Sequence, residues 1–124
     1  MKEIEVVVGI VDNEEVTRMG KEVTERGGMA DNYSKWVESD LAKKRPDIVH
    51  IWGANTVSCV PNLTRFVVDR LKAKVVLHLR KIRRDANDLG DDNNLLERYN
   101  EIVDHLPYQI PHQNISFVPP MDRI

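Results

Sequence analysis

Short β-branched apolar runs alternate along the chain with apolar stripes at three- and four-residue steps, the pattern of strands separated by amphipathic helices. The run Ile4 to Val11 reads as a strand buried on both faces, and it stops at Asp12-Asn13, residues that favour turns and helix caps. Glu14 and Glu15 then suit the positive end of a helix dipole. Val16, Met19 and Val23 form one stripe, and Arg26-Gly27-Gly28 ends the helix. The unit repeats. Asn32 to Lys44 predicts a helix with Tyr33, Trp36, Val37 and Leu41 inward, finished by Lys43-Lys44-Arg45 and broken at Pro46-Asp47. Ile48 to Trp52 is the second core strand, closed by Gly53. Asn62 to Lys72 is a helix with Leu63, Phe66, Val67 and Leu71 inward, and Lys74 to Leu79 is the third core strand. The polar stretch Arg80 to Asn93 reads as a loop. Leu95 to Leu106 is a helix with Leu95, Leu96, Tyr99, Ile102 and Val103 on its stripe, and Ile115 to Val118 is a last strand stopped by Pro119-Pro120. Such alternation implies right-handed crossovers. The expected fold is a single α/β domain over residues 1–124, a three-layer α/β/α sandwich with a parallel, flavodoxin-like sheet of four to five strands covered on both sides.

Composition narrows the classes. A chain of 124 residues, 41% hydrophobic and 31% charged, can bury a core and is not of disordered composition. A net charge of -2 provides no global basic field, so nucleic-acid binding needs a local patch. One cysteine, Cys59, excludes an internal disulfide and a cysteine-rich zinc module, and it reads as structural filler. No apolar run approaches the ~18 residues of a membrane span, and Met1-Lys2-Glu3 leads into alternating charge rather than a signal segment. An intracellular, cytoplasmic protein without a membrane partner is the expectation. No cofactor and no metal site is read. His50, His78, His105 and His112 share no ligand spacing with Asp, Glu or Cys, and His50 and His78 read as satisfied core histidines. Asp91-Asp92-Asn93-Asn94 lacks the alternation and terminal Glu of a calcium loop, and reads as a loop and helix cap. Gly9 to Asp12 lacks the dinucleotide fingerprint.

Ligands of open parallel sheets bind beyond the carboxyl ends of the strands. Those ends are Asp12-Asn13, Gly53 to Thr56, and Arg80 onward. Arg80, Lys81, Arg83 and Arg84 put four cations in five residues at that edge, a candidate contact for phosphates; a solubilising charged loop is the plainer reading. Lys43-Lys44-Arg45 lies at the other end of its strand. Trp52, Tyr33 and Trp36 fit core packing better than base stacking.

The order of motifs resembles the SGNH (GDSL-like) hydrolase superfamily, especially the esterase-like domains carried by some retrotransposons. Val11-Asp12-Asn13 stands where that family has Gly-Asp-Ser, and Gly28 matches the glycine whose backbone N–H helps bind the oxyanion. Pro46-Asp47 through Gly53-Ala54-Asn55-Thr56 follows the family's third block, and Leu79 to Asn100 follows its next strand, loop and helix. The resemblance implies an oxyanion-hole-like or ligand-binding set of Gly28, Gly53 and Asn55. The departures are chemical. Asn13 replaces the nucleophilic Ser, and an amide cannot form the acyl-enzyme. The family's last block, Asp-x-x-His, has no counterpart before Asp122-Arg123-Ile124, and Asp47 to His50 is not at its position. Two of three triad members are missing, so Asp12 and Asn13 are degenerate positions and no catalytic residue is assigned.

The first reading is therefore a non-catalytic SGNH-like module that engages RNA or a protein partner through the former active-site rim, with a homo-oligomer also compatible. The alternative is an esterase or deacylase fragment whose catalytic His lies outside these residues. A second alternative is the N-terminal Rossmann-like half of a glycosyltransferase, which Pro46 to Gly53 also resembles; Asp12-Asn13-Glu14 lacks the glycine-rich turn such enzymes place after the first strand.

Overall fold

A computed structural model of the chain describes residues 1–11, 13–33, 35–107 and 112–121. The strands are β1 (Glu3–Val8), β2 (Met29–Asp31), β3 (Ile48–Ala54), β4 (Lys74–Arg83) and β5 (Ile115–Val118). The helices are α1 (Glu14–Glu25), α2 (Lys35–Lys44), α3 (Cys59–Arg65), continued by a π-helical turn (Phe66–Arg70), and α4 (Leu95–Asp104). All strand pairs are parallel and the sheet order is β2-β1-β3-β4-β5, the flavodoxin-like order.

Strand period divides the core in two. Ile4, Val6, Val8, Val49, Ile51, Val75 and Leu77 point to one face, where α2 (Val37, Leu41), α3 (Val60, Leu63) and α4 (Tyr99, Ile102) cover them. Val7, Trp52 and Ala54 point to the other, where, among the described residues, α1 packs Val16, Met19 and Val23. Each fully buried Val or Leu of this kind contributes about 1.5–3 kcal/mol. The three-layer α/β sandwich of the sequence is the fold.

Several boundaries differ from the sequence expectation, each for a physical reason. The first strand stops at Val8 because Gly9, at φ +66°, turns the chain before Ile10 and Val11. The three-residue strand β2 is short and half-buried throughout, too brief for a periodic signal. β4 runs four residues beyond Leu79, since its register against β3 shifts from Ile51↔Leu77 to Gly53↔Ile82. The shift sets Arg80 and Lys81 outward and turns Ile82 and Arg83 inward, so the first four residues of the expected polar loop are strand. Trp36 and Leu96 are 61% and 52% exposed rather than inward. In α4 the buried face is Arg98, Tyr99 and Ile102, rotated away from Leu96.

Candidate functional site

The carboxyl edge of the sheet is where the expected site residues should meet. Asn13 caps α1: its Oδ1 accepts from Glu15 N at 2.9 Å, while its Nδ2 donates to the carbonyls of Asp85 (3.1 Å) and Asp88 (3.0 Å). The residue that the resemblance aligns with a nucleophilic serine is thus a buried clamp joining the turn after β1 to the loop after β4. Asp12 lies outside the described residues, as do Asp122, Arg123 and Ile124.

Asn55 starts the turn into α3, its Oδ1 accepting from Val57 N (3.2 Å), Ser58 N (2.8 Å) and Ser58 Oγ (2.7 Å). Gly53 is there for packing. Its φ is +122°, and a Cβ would lie 2.0 Å from the Val8 carbonyl oxygen, so no side chain fits between β1 and β3. The expected pair of Gly28 and Asn55 is not formed. Gly28 sits before β2, level with Glu5 and His50, and Asn55 lies about 16 Å further along the strand direction, counting five residues of ~3.3 Å rise. The Gly28 N–H is also occupied, donating to Val23 O at 2.9 Å.

The four cations separate into two kinds. Arg80 and Lys81 are exposed; Arg80 Nε meets Asp92 at 3.4 Å, and Lys81 Nζ lies 5.5 Å above the Trp52 ring. Arg83 is 5% exposed and faces inward, donating to Glu15 Oε2 (3.1 Å) and to the Arg80 carbonyl (2.8 Å). Gly90, at φ +84°, packs against the Arg83 guanidinium at a distance a Cβ would close to 2.6 Å. Arg84 is paired with Glu101, whose other oxygen accepts from Thr56 Oγ1 at 3.1 Å. A single basic patch of four side chains is therefore not assembled.

Beneath them lies an ion pair that the sequence reading did not single out. Arg98, 0% exposed, donates through Nε and Nη2 to both oxygens of Asp88 at 3.1 Å, and to the carbonyls of Leu79 (3.1 Å) and Asp91 (3.0 Å). Burial pushes the Asp88 carboxyl up, but hydrogen bonds from Arg98, Arg84 N and Gly90 N outweigh it and hold the group below its ordinary range. The available signal was Arg98 itself, a cation three residues from Leu95 and four from Ile102 on an otherwise apolar stripe. Asp91 caps the turn before α4, its side chain accepting from Asn93 N, as read from the sequence.

The histidines are elsewhere. His50 Nδ1 and His78 Nε2 are 2.9 Å apart and His50 Nε2 is 2.8 Å from Glu3 Oε1, mid-sheet on the α1 side and half-buried rather than in the core. His105 Nδ1 contacts the Glu101 carbonyl at the end of α4. The crevice hydroxyls are engaged: Ser58 on Asn55 in its own turn, Thr56 on Glu101 of α4, and Thr17 on the Ile10 carbonyl. Cys59 packs against the core. Among the described residues no group of His, Cys, Asp and Glu is arranged to hold a metal ion, and no helix is long and apolar enough to cross a membrane.

Beside its charged groups the edge exposes apolar side chains. Of seven large hydrophobic side chains exposed among the described residues, five follow the carboxyl ends of strands: Val11 (71%) after β1, Trp36 after β2, Val57 (46%) after β3, and Leu89 (84%) and Leu96 after β4. No family model matches the chain, and no curated protein or solved structure is significantly similar to it.

Proposed function

We propose that the chain is a non-catalytic α/β binding module, SGNH-hydrolase-like in its motifs, that docks a protein partner through the carboxyl-edge rim. The observation that carries this reading is the placement of Val11, Trp36, Val57, Leu89 and Leu96 on the segments following four of the five strands. Exposed apolar side chains gathered at one edge mark contact surfaces, whereas scattered ones carry no such meaning. Protein is favoured over RNA because phosphate contacts need cations free to neutralise charge, and Arg83 and Arg84 are committed to Glu15 and Glu101. A binding role is favoured over ester hydrolysis because Asn13 uses its side chain as a cap and clamp.

A photo-crosslinking residue placed at Leu89 in cells tests the reading. One discrete protein adduct is expected, lost on Val57→Asp and absent when the crosslinker sits at exposed Lys21 on α1. Equal adducts from both positions would refute a rim-specific contact. Salt-dependent binding of a single-stranded RNA, weakened by Arg80→Ala and Lys81→Ala, would move the assignment to RNA. Turnover of a p-nitrophenyl ester would return it to the hydrolases.

A further inference from the structure

All-parallel sheets are nearly always covered on both faces, because both sides of each strand carry core residues. Here three helices cover one face, while on the other α1 packs on Val7, Trp52, Ala54 and Ala30. By strand alternation and register, the remaining surface of that second face is a strip of His50 on β3, Val76 and His78 on β4, and Ser116 and Val118 on β5. All five are half-buried or exposed, Val118 at 43%. Val76 and Val118 belong to neither of the two buried clusters.

The dimensions select the occupant. From β3 to β5 is two strand spacings, about 10 Å, and four residues along β4 span about 13 Å. That width is one helix diameter, roughly 10–12 Å. An area of that size is far below the ~800 Å² per partner of a stable interface, so a domain-sized partner would need surface beyond the strip, whereas a single helix matches its width. Charge fixes the occupant further. Glu3, its side chain 53% exposed, stands at the β1 margin and among the described residues meets only His50. Glu5 beside it is held by Arg26. Lys74, level with Glu3 two strands across, carries the opposite sign.

We propose that this strip seats one amphipathic α-helix, lying beside α1, with an apolar stripe on Val76 and Val118 and a Lys or Arg on its flank toward Glu3. The surface is separate from the carboxyl-edge rim, so either assignment can fail without the other.

The probe is a synthetic 14-residue helix with a Leu stripe and Lys on one flank, compared with the same peptide carrying Glu there. The Lys peptide is expected to bind saturably and to slow amide exchange or shift the resonances at His50, Val76, His78 and Val118. Affinity should drop at least tenfold in Val118→Glu and in Val76→Glu, and several-fold for the Glu peptide or on Glu3→Gln. If Val76→Glu does not fold, Val118→Glu at its exposed position carries the test by itself. Absence of binding by both peptides, binding that ignores Val118→Glu, or signals confined to the rim would overturn the proposal. So would a concentration-dependent dimer that protects the same amides, since the occupant would then be a second copy.

Discussion

The carboxyl edge of the sheet and the middle of its α1-side face treat polar groups in opposite ways. At the carboxyl edge, Asn13, Arg83, Asp88 and Arg98 are buried and tied into the loops by several hydrogen bonds each, while Val11, Val57 and Leu89 are left in solvent beside the exposed Arg80 and Lys81. In the middle of the sheet, His50 and His78 lie half-exposed and bonded to one another and to Glu3. The first region uses its buried polar groups to fix loop conformation and exposes apolar side chains among its charged ones. The second leaves titratable groups on a surface that other parallel sheets would cover. In this chain, then, a buried polar side chain at the edge where ligands usually bind is evidence of scaffolding.

The comparison breaks most severely if the buried ion pair is cut. Asp88→Ala strands the Arg98 guanidinium without its counter-charge and removes the acceptor of the Arg84 and Gly90 amides, so a loss of about 3–5 kcal/mol is expected in urea unfolding at pH 7. Replacing both members, Asp88→Leu with Arg98→Met, should recover part of that loss; a double mutant worse than the single would show that the pair acts as more than charge compensation. Next in size is Asn13→Ser. Serine keeps the cap on α1 but loses the Nδ2 donations to the Asp85 and Asp88 carbonyls, at an expected cost of about 1–3 kcal/mol. The variant places a hydroxyl where the resemblance to SGNH hydrolases would put a nucleophile and should still show no esterase activity, because the described histidines are placed elsewhere.

How far the sequence could be read follows the same division. Strand and helix order was legible because period-2 and period-3.6 apolar patterns report burial directly, as in Ile48–Trp52 and Val16, Met19 and Val23. The β4 extension was not, because a register shift that turns Ile82 and Arg83 inward after two outward cations has no periodicity to detect. Asn13 as a helix cap was legible from Asp12-Asn13-Glu14-Glu15; its second job, holding Asp85 and Asp88 from 72 and 75 residues away, is a tertiary property. Motif order placed Gly28 beside Asn55, but parallel register puts it at the opposite end of its strand. Four adjacent cations read alike in sequence, and only the fold separates the pair that faces solvent from the pair bonded to Glu15 and Glu101.

A change of pH sharpens the contrast from the other side, with an effect smaller than the loss of the clamp. Burial, and then the neighbouring His50, push His78 below its ordinary value of 6.5, with Glu5 acting weakly in the other direction. Above pH 6.5 the ring is neutral in both folded and unfolded chains and its contribution to stability is complete. As pH falls below 6.5 the unfolded chain takes up the proton first, so stability declines until the folded ring also titrates. Urea midpoints should fall between pH 7 and pH 5.5, and His78→Gln should flatten that slope. An unchanged slope would mean that the imidazole pair is not coupled to folding.

The smallest expected effect distinguishes the cations most economically. Arg80 and Asp92 form a pair with side chains 57% and 64% exposed and a 3.4 Å separation, the kind that solvent and salt screen. Arg80→Ala should therefore change unfolding free energy by no more than about 0.5 kcal/mol. Arg83→Ala, three residues later, removes the partner of Glu15 and the donor to the Arg80 carbonyl from a nearly closed site, and should cost about 2–3 kcal/mol. Both variants differ from the parent by one charge, so a general field effect would lower stability equally. Unequal losses that persist at high salt locate the difference in burial and hydrogen bonding, and leave Arg80 and Lys81 as the members of the run free to meet another molecule.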